Sequence, residues 1–161
     1  MTAKILDGKA LAEEIRGEVA IGVAEMKQNH GVPPGLAAVL VGDDPASAIY
    51  VRNKRRACDE VGMISDTIVL PADTTTEQVL NTVQQLNDDP RFHGILVQLP
   101  LPDQVDELAV IESINPDKDV DGLHPFNVGK LVQGRADFIP GTPFGIQKIL
   151  MRNGHDPTGA N

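Results

Sequence analysis

Tyr50 and Lys54 are four residues apart, so on a helix their side chains share one face. Ala46, Ala57 and Val61 extend that face, and Lys54 interrupts an otherwise apolar stripe. A lysine at a stripe margin ordinarily lays its stem on apolar surface and keeps its ammonium in water. A partly desolvated lysine beside a tyrosine is different: burial disfavours the charged form, and the amine becomes a usable proton acceptor near neutral pH. Gln98 closes the apolar run GILVQ, and its amide either satisfies loop backbone groups or orients Lys54 or a ligand. Asp117, Asp119, Asp121 and Gly122 open like a calcium loop, but the twelfth position is Val128 instead of Glu and Pro125 breaks the expected backbone. These carboxylates read either as a turn held by Asx hydrogen bonds or as acceptors offered to a ring carrying amine and N–H donors. His30, His93, His124 and His155 are scattered without metal-ligand spacing, so no metal is expected. Cys58 reads as a small core residue.

The elements that must position these groups follow from periodicity. Leu11, Ile15, Val19, Val23 and Met26 predict an amphipathic helix opened near Asp7 and closed by Gly31. The run Gly35 to Val41 predicts a buried strand. Asp44-Pro45 caps a second helix that stops at Gly62, and Ile64 to Leu70 predicts a second strand. Thr74 and Glu77 suggest a capping box for a third helix with Val79, Leu80, Val83 and Leu86 inward. Gly94 to Gln98 is a third strand. Shorter helices are expected near Val105 to Ile114 and Phe126 to Val132, and a last one from Thr142-Pro143 to Gly154 with Ile146, Ile149 and Leu150 inward.

Strands alternating with helices predict an α/β fold: three layers, a mostly parallel sheet with helices on both faces, forming one domain over 1–161. Ligands of such sheets bind beyond the carboxyl ends of the strands. The candidate walls are therefore Gly42-Asp43-Asp44, Gln98-Leu99-Pro100-Leu101-Pro102 and 117–122.

The chain has 161 residues, 41% hydrophobic and 23% charged, with mean hydropathy −0.13. No apolar run approaches the roughly 20 residues of a membrane helix, and Met1 to Asp7 is unlike the start of a secretory signal. A lone cysteine excludes an internal disulfide and fits a reducing cytoplasm. A net charge of −9 and 3% aromatics argue against a nucleic-acid partner. The Tyr50/Lys54 spacing also occurs in short-chain dehydrogenases, but Val41-Gly42-Asp43-Asp44-Pro45 is acidic and lacks the G-x-G-x-x-G phosphate loop.

Four segments together carry a resemblance. Val41 to Ser47 followed by Tyr50-Val51 and Lys54 resembles the VGD-x-x-AS-x-x-Y-V-x-x-K signature of the bifunctional methylenetetrahydrofolate dehydrogenase/cyclohydrolase family. GILVQLPLP at Gly94 to Pro102, PDKDVDGLHP at Pro116 to Pro125, and Thr142-Pro143-Phe144-Gly145 resemble its later signatures, in the same order. The resemblance implies the amino-acid-dehydrogenase-like N-terminal, folate-binding half of such an enzyme. It implies NADP-dependent oxidation of 5,10-methylenetetrahydrofolate and hydrolysis of the methenyl product to 10-formyltetrahydrofolate, in one-carbon metabolism. Lys54, Gln98 and Asp121 are then the expected catalytic residues. Tyr50, Lys54, Val97, Gln98, Leu99, Pro100 and Asp121 are the expected substrate contacts, with tetrahydrofolate derivatives as ligands.

Family members continue from a position like Asn161 into a glycine-rich NADP loop. The expectation is a C-terminal Rossmann domain and NADP site absent from this chain, hence no hydride transfer and weak cyclohydrolase activity alone. The resemblance implies a family commonly homodimeric through contacts largely outside these residues, so a monomer is expected. The alternative is a non-catalytic folate-binding or interaction module of the same fold.

Overall fold

The computed structural model describes residues 3–159; Asn161, where the resemblance expects the chain to enter the second domain, lies outside them. Three strands, β1 (Gly35–Val41), β2 (Ile64–Leu70) and β3 (Gly94–Val97), form a parallel sheet in the order β2-β1-β3. Ala38 lies opposite Thr67 on one side and Leu96 on the other. β1 is central and nearly wholly apolar because both its faces are covered. Its alternate residues Ala37, Val39 and Val41 point to one layer, with Ile95 and Val97. They pack against Val79, Val83 and Leu86 of α3 (Thr76–Asp88) and Val110 of α4 (Glu107–Ser113). Ala38, Leu40 and Leu96 point the other way, onto Val51 of α2 (Pro45–Val61).

Behind α2 lies α1 (Gly8–His30), joined to it by an Arg16–Glu60 ion pair at 3.5 Å. The remaining helices are α5 (Pro125–Val132) and α6 (Gly141–Arg152). Arg152 of α6 reaches Glu14 at 2.5 Å and Glu18 at 2.8 Å, tying α6 to α1.

Four sequence expectations need correction. The capping box of α3 is Thr75 with Gln78. Thr74 is instead buried and donates its hydroxyl to the Pro71 carbonyl at 2.6 Å. The buried face of α2 is Ser47, Val51, Cys58 and Val61, one position round from the stripe through Ala46 and Tyr50, which are exposed. Sheet packing selects that row, and Lys54 sits at its border. In α6, Ile146 is 57% exposed where an inward position was expected, since α6 touches the body mainly through Ile149, Leu150 and Arg152. On α1 only Val23 is buried, and Val19 and Met26 stay exposed because α2 covers a narrow strip of that helix.

Candidate active site

Lys54 projects from the middle of α2 toward the carboxyl end of β3, where its Nζ donates to Gln98 Oε1 at 3.2 Å. Gln98 lies one residue past β3, but its backbone N–H still pairs with the Val39 carbonyl at 2.9 Å, which holds it against β1. Its Nε2 donates to the Leu99 carbonyl at 2.8 Å. With the amide nitrogen engaged there, the oxygen faces the lysine.

Asp121 arrives from a different direction. The segment before it runs beside β3: Ile95 N–H donates to the Lys118 carbonyl at 2.7 Å, and Ile95 and Asp119 form a parallel bridge. Gly94 permits this approach, since a Cβ there would stand 2.5 Å from Val120 Cγ1. Gly122 then turns the chain with φ 66°, a conformation costly for residues with a Cβ. Asp121 ends up partly buried beside Lys54. Burial pushes its carboxyl above the usual range, the Lys54 charge pulls it back, and the Asp119 charge raises it further.

The structure thus brings Lys54, Gln98 and Asp121 to one edge of the sheet from α2, β3 and the 118–122 turn. Tyr50 stands one turn before Lys54 with 61% exposure, open to stack on a ligand. Leu99 is half-buried and Pro100 exposed just past the carboxyl end of β3, so both can line the edge. Val97 is different: its side chain is buried in the layer under α3, which leaves only its backbone for a ligand. Cys58 is buried, and burial together with Asp59 pushes its thiol up, away from nucleophile behaviour.

The sequence reasoning left Lys118 and Asn127 without roles and read Asp119 only as one of the carboxylates of the 117–122 segment. Asp119 is 1% exposed and accepts from Leu123 N–H at 3.3 Å, His124 N–H at 2.9 Å and Asn127 Nδ2 at 2.9 Å. Lys118 Nζ donates to the carbonyls of Leu86, Asn87 and Asp89 at 3.1, 2.7 and 3.0 Å, at the end of α3. Asp119 is taken up by donors inside the turn, whereas Asp121 feels the charge of Lys54. Among the described residues no group of His, Cys, Asp and Glu is arranged to hold a metal, and no helix is long and apolar enough to cross a membrane.

Residues 6–121 match the model of the tetrahydrofolate dehydrogenase/cyclohydrolase catalytic domain. The chain belongs to that family. It is 55% identical over 159 residues to the bifunctional protein FolD of Moorella thermoacetica, covering 99% of this chain and 56% of that protein. Among solved structures, the 5,10-methylenetetrahydrofolate dehydrogenase of the silkworm Bombyx mori superposes with a TM-score of 0.92 at 42% identity, over 95% of this chain and 53% of that one. The dehydrogenase-cyclohydrolase of Trypanosoma brucei, solved with NADP cofactor and an inhibitor, gives 0.92 at 36% identity, over 96% and 53%. This member of the dehydrogenase/cyclohydrolase family therefore spans about half the length of the relatives it matches.

Proposed function

We propose that these residues form one folate-binding catalytic domain of a bifunctional methylenetetrahydrofolate dehydrogenase/cyclohydrolase, with Lys54 as its acid/base residue. The observation that carries this is the Lys54–Gln98 hydrogen bond at 3.2 Å with the Asp121 carboxylate beside it. In this reading Asp121 accepts hydrogen bonds from the amine and N–H edge of the pterin, as an ionised carboxylate does strongly. Tyr50 packs on the ring system, Leu99 and Pro100 line the edge, and Val97 contributes backbone only. Tetrahydrofolate derivatives are the ligands.

The hydrolytic step suits this arrangement. Methenyltetrahydrofolate carries an amidinium-like carbon, and water attack on it needs a positioned base. A water oxygen bonds to the methenyl carbon while one of its protons passes to the Lys54 amine. The carbon–N5 bond then breaks as the hydroxyl becomes the formyl carbonyl and N5 takes up a proton, so the overall reaction releases one proton.

The hydride step needs NADP, and the turn after β1 does not suit its phosphates. The turn after β1 is Gly42-Asp43-Asp44, whose charge repels a pyrophosphate, and Asp44 Oδ2 already caps α2 by accepting from Ser47 N–H at 2.7 Å. We place the NADP site outside these residues. The 161-residue chain is accordingly proposed to bind tetrahydrofolate, to hydrolyse methenyltetrahydrofolate weakly, and to leave NADP unreduced.

The test is a chimera in which the C-terminal portion of the Moorella relative follows this chain. Lys54→Gln should lower methenyltetrahydrofolate hydrolysis by roughly 10²–10⁴-fold, the usual weight of a positioned acid/base group. Tetrahydrofolate affinity should change far less. Undiminished turnover in Lys54→Gln removes the catalytic assignment and leaves a binding module.

A further inference from the structure

The turn that presents Asp121 is pinned from within. Asp119 has almost no solvent contact, and its two carboxylate oxygens are engaged by Leu123 N–H, His124 N–H and Asn127 Nδ2. Asn127 is itself buried, and its Nδ2 also donates to the Pro116 carbonyl at 2.8 Å, closing the loop from 116 to 127. His124 in turn caps α5, its Nδ1 accepting from Phe126 N–H at 3.1 Å. On the other side Lys118 is fastened to the end of α3.

A buried carboxylate is costly unless its oxygens are fully hydrogen-bonded. Here the donors come from the residues that follow Asp121, so satisfying Asp119 and fixing the 121–124 backbone are the same event. An amide at position 119 keeps the shape but offers one acceptor oxygen where two are used, and its NH₂ group meets a donor.

We propose that Asp119 is the positioning residue for Asp121: by gathering Leu123, His124 and Asn127 onto its carboxylate, it holds the turn in the one form that aims Asp121 at the ligand beside Lys54. This rests on the folate site proposed above, in which Asp121 touches the pterin. Asp119 itself touches no ligand. Its influence passes through Asp121 by geometry and by charge, the two carboxylates repelling each other while Lys54 of α2 attracts Asp121.

The experiment is a double-mutant cycle on the 161-residue chain, with tetrahydrofolate affinity read by titration calorimetry for the parent, Asp119→Asn, Asp121→Asn and the double variant. Asp119→Asn should weaken binding roughly tenfold when Asp121 is present and less than about twofold when position 121 is already Asn. Equal losses in the two backgrounds mean that Asp119 acts on the fold in general, and overturn the proposal. Unchanged affinity in Asp121→Asn overturns the folate site itself, a separate result.

Should Asp119→Asn not fold, Asn127→Ala keeps Asp119 with its two backbone donors and is read in the same cycle. A smaller loss that vanishes in the Asp121→Asn background is expected, and equal losses overturn. A ligand-free readout stands beside these: the Asp121 carboxyl, followed by NMR, should titrate at lower pH in Asp119→Asn than in the parent. An unmoved titration overturns the coupling.

Discussion

The amide of Gln98 is divided between two tasks: its oxygen accepts from Lys54 Nζ at 3.2 Å while its nitrogen donates to the Leu99 carbonyl at 2.8 Å. The second bond fixes the orientation of the first. Lys54 therefore meets an acceptor that cannot rotate away without leaving the Leu99 carbonyl unpaired.

Gln98→Leu removes both bonds and keeps the bulk. A hydrogen bond to a charged group carries about 1.5–3 kcal/mol, so methenyltetrahydrofolate hydrolysis by the chimera should fall by one to two decades. The effect should appear in kcat more than in KM, because the Gln98 oxygen is already engaged by the Lys54 amine. A loss confined to KM assigns Gln98 to ligand contact instead.

Asp121 predicts a pH signature in stability. Its carboxyl is raised in the folded chain, first by burial and then, against the pull of Lys54, by Asp119. The folded state therefore holds this proton more tightly than the unfolded state, and the group's contribution to stability declines as pH rises from the ordinary carboxylate value through the raised one. Asp121→Asn has no proton to lose. Its melting temperature relative to the parent should climb over that window and stay high toward neutral pH. A difference that is flat or falling with pH contradicts the buried, proton-retaining carboxyl.

Gly94→Ala places a methyl 2.5 Å from the branched, stiff Val120 side chain. The 118–121 segment must move off β3, and overpacking of this kind costs about 1–3 kcal/mol in a denaturant melt. Tetrahydrofolate affinity should fall as well, since Asp121 rides on that segment. Full affinity in a destabilised Gly94→Ala variant uncouples the turn from the site.

The strands and α2 were legible in the sequence because their signals are local. GLAAVLV is a short, unbroken apolar run, the pattern of a strand covered on both faces, and Asp44-Pro45 with Gly62 brackets a helix by capping chemistry. The pairing of Lys54 with Gln98 was legible once both were placed at the same sheet edge. What escaped depends on tertiary packing. The row of α2 that is buried was set by β1 and β2, one position round from the most apolar stripe. The exposure of Ile146 and Val19 is fixed by how little of α6 and α1 the body covers. Asp119 looked like another turn aspartate, because the donors that claim it lie four to eight residues further on and meet it only after the chain has folded back.

The most direct measurement follows the backbone amide signals of the isotopically labelled 161-residue chain as tetrahydrofolate is added. The account predicts shifts concentrated at Tyr50 to Lys54, Gln98 to Pro102 and Asp119 to His124, three separate stretches moving together with one binding constant. Shifts confined to α5 and α6, or a response in only one of the three stretches, contradict it.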